Sequence, residues 1–225
     1  MAVANEVIAD RFHLRSSRGP GAWGELFDAE DKPPFAALAG GLSSRGASVA
    51  GNVVLIELVQ SATLPDGVKA ETVEREMKAV KSASNPHLLK CLECGRVGAG
   101  HSQGLLYLAM ESWKDSLEDR LQQPTTISDQ DLEIIAGAVA DALVTLHNRG
   151  IHHAGVHPGR IVWVGADWKL APSGPAAAAG LRILPPENTT SPAEDVYAFG
   201  LTFLHAFLAV RGHVAPPPHL QLHHP

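Results

Sequence analysis

The sequence predicts an α+β protein: a small antiparallel sheet with one helix first, then a mostly helical half. Three observations carry this. Short apolar runs bounded by Gly, Pro and Asn turns crowd residues 12–111. Apolar residues at helical spacing dominate 128–150 and 195–210. The two kinds of segment follow one another rather than alternate, the order expected of an α+β fold.

The chain has 225 residues, 45% hydrophobic and 19% charged, which suffices for a sizeable core. Its formal net charge of -6 argues against a nucleic-acid partner, because a polyanion repels an acidic domain. The two cysteines, Cys91 and Cys94, are too few for a disulfide scaffold. They spell C-x-x-C, yet residues three apart on a regular strand face opposite sides, so they read as small hydrophobes. The N-terminus shows no basic region followed by an apolar run. The segment 196–210 contains His205 and falls short of the roughly 20 residues that cross a bilayer. The expectation is a cytoplasmic protein with no membrane segment.

In chain order, residues 12–17 alternate as a strand and meet Gly19-Pro20-Gly21-Ala22-Trp23-Gly24, a G-x-G-x-x-G turn followed by a second strand. Pro20 removes one N–H from that turn. Residues 29–52 read as a long loop and 53–59 as a buried strand. Helical spacing of Val68, Thr72, Val73, Met77 and Val80 predicts a helix over 68–84 that carries Glu74 and Glu76. Segments 88–97 and 105–110 pair around the turn 98–104. A short helix at 116–122 precedes a long one begun by Ser128 with acids in its first turn. A polar loop then leads to two apolar runs, 161–164 and 168–171. Ser191-Pro192 opens the last helix, and 212–225 is a Pro- and His-rich tail.

Six stretches give this series a family likeness. They are the glycine turn; Glu76 followed by Asn85-Pro86-His87-Leu88-Leu89; Leu105 to Trp113; His153-Ala154-Gly155-Val156-His157-Pro158-Gly159-Arg160 with Pro172-Ser173-Gly174; Leu184-Pro185-Pro186-Glu187; and Asp195-Val196-Tyr197-Ala198-Phe199-Gly200. In this order they resemble the eukaryotic-type (Hanks-type) Ser/Thr protein kinase domain, in the style of its bacterial members, from about residue 12 to about 210. The resemblance implies a two-lobe fold: an N-lobe over 1–111, a partial C-lobe over 112–210, and a tail over 211–225. It implies that Gly19, Gly21 and Gly24 cover a nucleotide. Met110 would be the gatekeeper, and Glu111, Ser112 and Trp113 the hinge whose backbone meets an adenine. Glu76, His153, Glu187, Asp195 and Gly200 would be structural, with Asp195 accepting hydrogen bonds from the catalytic-loop backbone.

The departures concern chemistry. Gly155 stands where the family has its catalytic aspartate, and Arg160 and Pro172 where it has its two metal ligands. Ile56 replaces the strand lysine, or Glu57 does if the frame slides by one. His152 and His157 read as loop positions, and no metal site is expected. These departures lead to the expectation that the chain is not an enzyme but a binding or allosteric signalling module, with no cofactor beyond ATP held weakly without metal. The alternative is an active kinase that recruits Asp167 or Glu187. Leu201, Phe203, Leu204, Phe207 and Leu208 cover more than one side of the last helix. The expectation there is cover by a second copy or another protein, or a chain shortened from a longer one.

Overall fold

The computed structural model describes residues 6–32, 52–61, 64, 67–123, 127–174 and 191–213. The motif Leu184 to Glu187 therefore lies outside the described residues, as do 33–51 and the tail from 214. The chain divides into two units: Met1–Glu74 with Cys91–Ser112, and Arg75–Lys90 with Trp113–Pro225.

The first unit is a six-stranded antiparallel sheet. Its strands are β1 (Val7–Ile8), β2 (Phe12–Pro20), β3 (Glu25–Asp31), β4 (Asn52–Val59), β5 (Cys91–Arg96) and β6 (Leu106–Glu111), in the order β1-β2-β3-β4-β6-β5. The apolar run in β4 is explained by its central position: Val54 to Val59 are all buried, between β3 and β6. One face packs Phe12, Phe27, Val54, Ile56, Leu58 and Ala109 into a core. Leu55 and Glu57 alternate to the other face.

One expectation needs correction here. A register shift between Cys91 and Glu93 sets Cys91 opposite Met110 and Cys94 opposite Leu108. Met110 and Leu108 are two apart on β6 and share a face, so the bulge brings both cysteines to that face. A strict period of two had placed them on opposite sides. Neither forms a disulfide.

The helix α1 (Ala70–Ser82) buries Val73, Met77 and Val80. Its C-terminal part and the segment to Lys90 group with the second unit. The reason is local: Asn85 Nδ2 donates to Asp141 and Thr145 at 2.7 Å each, and the Leu89 N–H donates to the Leu170 carbonyl at 2.9 Å.

In the second unit, β7 (Asp115–Ser116) leads into α2 (Leu117–Leu121), then α3 (Asp129–His147), the hairpin β8 (Ile161–Val164) and β9 (Asp167–Leu170), and α4 (Pro192–Val210). Strand β8 is central in the sheet β7-β8-β9. Two reciprocal capping boxes start α2 and α3: Ser116 with Asp119, and Ser128 with Asp131. The α3 stripe Leu132, Ile135, Val139, Leu143 and Leu146 is buried in a core shared with Ile161, Leu170 and Phe203. Helix α4 opens with Pro192 and then Glu194 and Asp195. It is long and apolar enough to cross a membrane by length and composition, but Ala198, Phe203 and Ala206 are buried in the core of this unit.

Candidate functional site

The loop between α3 and β8 is tied down by a carboxylate from α4. Asp195, fully buried, accepts from the backbone N–H of His153 at 2.9 Å and of Ala154 at 2.6 Å, and contacts His147 Nε2 at 2.8 Å. Ala154 sits at φ 57°, a left-handed conformation that costs an L-residue energy. The two bonds to Asp195 hold it there. His153 is buried, and its Nε2–H donates to the Ala171 carbonyl at 2.8 Å. Burial, first among the causes, pushes its pKa down, so the ring is neutral with its proton on Nε2. Its Nδ1 is buried without a hydrogen-bond partner, consistent with that uncharged state.

Gly155, at the position of the family's aspartate, faces Ser173. A Cβ on residue 155 would lie 2.5 Å from Ser173 Oγ and 3.2 Å from Ser173 Cβ. The buried hydroxyl of Ser173 therefore occupies the space an aspartate would need. Beyond it, His157 caps the turn Pro158–Arg160, its Nδ1 accepting from Gly159 N at 3.2 Å. Burial, reinforced by Arg160, lowers the His157 pKa to about 3. Arg160 closes that turn, and its carbonyl accepts from Ala171 N at 2.7 Å. Pro172 lines a small apolar pocket with Leu89, Leu146 and His153. Glu76, on α1, lines a different pocket of about 310 Å³ with Arg75, Arg149 and His152. Among the described residues no group of three His, Cys, Asp or Glu side chains is placed to hold a metal ion.

The first unit carries the glycine turn. Gly19, at φ 96°, is the last residue but one of β2, and Gly21 N donates to the Gly24 carbonyl at 2.6 Å to close the turn. Two N–H groups, of Trp23 and Gly24, point down to one oxygen of Glu57, the latter at 2.8 Å. Glu57 is 1% exposed. Ile56 lies in the core on the opposite face, so the side chain that reaches this turn from β4 is Glu57. The turn lines a pocket of about 470 Å³ together with Phe27, Leu58 and Leu105. Met110 is buried opposite Leu55, and Glu111 ends β6 opposite Val54, with Ser112 and Trp113 after it. Gly200 lies within α4.

Sequence reasoning missed the contacts of Ser173 and His147. It named Glu57 only as the residue that a one-place slide would put where the lysine stands. A signal for Glu57 existed: a lone carboxylate inside an apolar strand must find a partner when buried.

A structure of the Mycobacterium tuberculosis PknI kinase domain superposes with a TM-score of 0.71 at 21% identity, over 96% of this chain and 81% of that one. A second PknI structure gives the same score and identity over 100% of this chain and 83% of that one. The chain has the protein-kinase fold. A curated protein of Bifidobacterium longum (strain NCC 2705), described as a probable serine/threonine-protein kinase PknB, is 26% identical over 117 residues. That match spans 50% of this chain and 17% of the relative. No family model matches the chain.

These findings correct one expectation. The missing carboxylates suggested a chain that is not an enzyme. The kinase-fold neighbours and the curated relative are named as kinases, and they point to the Ser/Thr kinase family rather than to a non-enzyme.

Proposed function

We infer that this chain is a cytoplasmic signalling module on the Ser/Thr protein-kinase fold, which holds an adenine nucleoside or nucleotide weakly and without metal and acts through protein contacts. One observation supports it above the others. The catalytic loop keeps its clamp, Asp195, while Ser173 fills the space of the carboxylate at Gly155. The loop is thus held in shape while Gly155, Arg160 and Pro172 bring it none of the oxygen ligands that the family places at those positions. By the resemblance, the backbone after Met110 meets the adenine edge, which requires no particular side chain there.

Thermal shift with ATP tests this. The expected result is the same small stabilisation with and without magnesium, since a ligand bound only by the folded state raises stability by mass action. A shift that needs magnesium overturns the reading.

The names of the relatives favour a second reading, an active kinase with relocated groups. Asp167 stands exposed at the β8–β9 turn and lines a pocket of about 560 Å³ with Trp163, Trp168 and Arg120. Transfer from labelled ATP to protein that is lost in Asp167→Asn or Glu187→Gln would establish it. Absence of transfer, or transfer surviving both substitutions, removes it.

A further inference from the structure

Two consecutive backbone N–H groups that converge on one point form an anion site. In the turn from Gly19 to Gly24 those groups belong to Trp23 and Gly24, and the point is already occupied by Glu57 Oε1. The turn is shaped around this occupant. A Cβ on Gly21 would lie 2.6 Å from Glu57 Cδ, and one on Gly24 would lie 2.8 Å from the Leu58 carbonyl carbon. Both glycines therefore serve the close approach of the turn to β4. A carboxylate this deeply buried requires charge-assisted hydrogen bonds, and the turn supplies two.

We propose that Glu57 is a built-in plug of the glycine turn, so that this unit favours adenine ligands without phosphates and seats a phosphate chain in the turn only when Glu57 is withdrawn. The chemistry is competition for the same donors. A phosphate oxygen seeks the N–H groups that the carboxylate holds, and it would approach a second negative charge in a water-poor setting. An uncharged nucleoside meets neither obstacle. This rests on the nucleoside-binding reading above and names the ligand class it selects.

Calorimetric titration of the full chain with adenosine, ATP and inorganic tripolyphosphate tests it, using wild type, Glu57→Gln and Glu57→Lys. In wild type, adenosine binds at least as tightly as ATP, and tripolyphosphate does not bind. Glu57→Lys frees the donors and adds a cation; ATP affinity rises by about tenfold or more while adenosine stays within about threefold. Glu57→Gln keeps an acceptor but loses the charge, so its gain is smaller. In that variant the amide proton resonances of Trp23 and Gly24 move upfield as a charge-assisted bond becomes neutral.

The proposal is overturned by a tenfold preference of wild type for ATP over adenosine. Folded variants that gain neither ATP nor tripolyphosphate also overturn it, as do unmoved Trp23 and Gly24 amides in Glu57→Gln. Should Glu57→Lys fail to fold, Glu57→Gln decides alone. Should adenosine bind to none of the proteins, the nucleoside reading falls, and the plug is judged by the tripolyphosphate and amide measurements, which need no nucleoside site.

Discussion

Asp195→Ala leaves the N–H groups of His153 and Ala154 without their acceptor. The expected cost is about 1–3 kcal/mol for each, measured by denaturant unfolding. An unchanged midpoint would contradict the clamp. Asp195→Asn keeps one acceptor oxygen and should fall between wild type and alanine. Gly155→Ala drives a methyl against Ser173 and should cost about 1–3 kcal/mol. Adding Ser173→Ala should recover most of that loss, because the clash is with the serine side chain. His153 and His157 give the acid side a clear sign. Both folded-state pKa values lie below the ordinary imidazole value of 6.5, so the unfolded chain binds more protons as pH falls. The stability they contribute is complete above about 6.5 and is lost as pH drops from there toward the folded values. For His157 the slope is up to about 1.4 kcal/mol per pH unit. His157→Gln should flatten it in urea melts at pH 7 and pH 5.

The helix starts could be read from the chain because their chemistry is local. Ser128 with acids behind it announces α3, and the structure adds the reciprocal bond from Asp131. Ser128→Ala should cost about 1 kcal/mol of stability, with Asp131→Asn smaller. The period of two in β5 failed for an equally local reason that leaves no trace in composition. One extra residue near Leu92 shifts the register and turns both cysteines to one face. Likewise the apolar run of β4 announced its burial but not its frame. Only the fall of the glycine turn onto Glu57 shows which residue reaches the turn from that strand.

Across the whole chain, the order of motifs carried the fold, since turns, periodicities and intervals survive many substitutions. The division into units was less legible. The segment 75–90 joins the helical unit through side-chain bonds from Asn85, and sequence cannot display a partner 56 residues away. At the site, the sequence displayed which residues stand at 155, 160 and 172. What lies against Gly155, the side chain of Ser173, was not legible, because it depends on packing between two loops. On the outside of α4, Val196 and Leu204 are exposed, with 61% and 52% of their surface free. Light scattering at high concentration should show self-association that Leu204→Lys weakens; a monomer unaffected by the change would leave this face without a role in assembly.

The clamp on the loop at His153 and Ala154 comes from far along the chain: Asp195 lies 42 and 41 residues after its two partners. On a ribosome the loop emerges well before the carboxylate that fixes it. Domains assemble from the N-terminus as they are made, at roughly 5–20 residues per second. For some seconds of each round of synthesis, therefore, Ala154 has no anchor for its left-handed backbone, and this loop sets only after the start of α4 has been made. Nascent chains arrested before residue 195 should be cut by protease near 153, and chains arrested after α4 has emerged should resist.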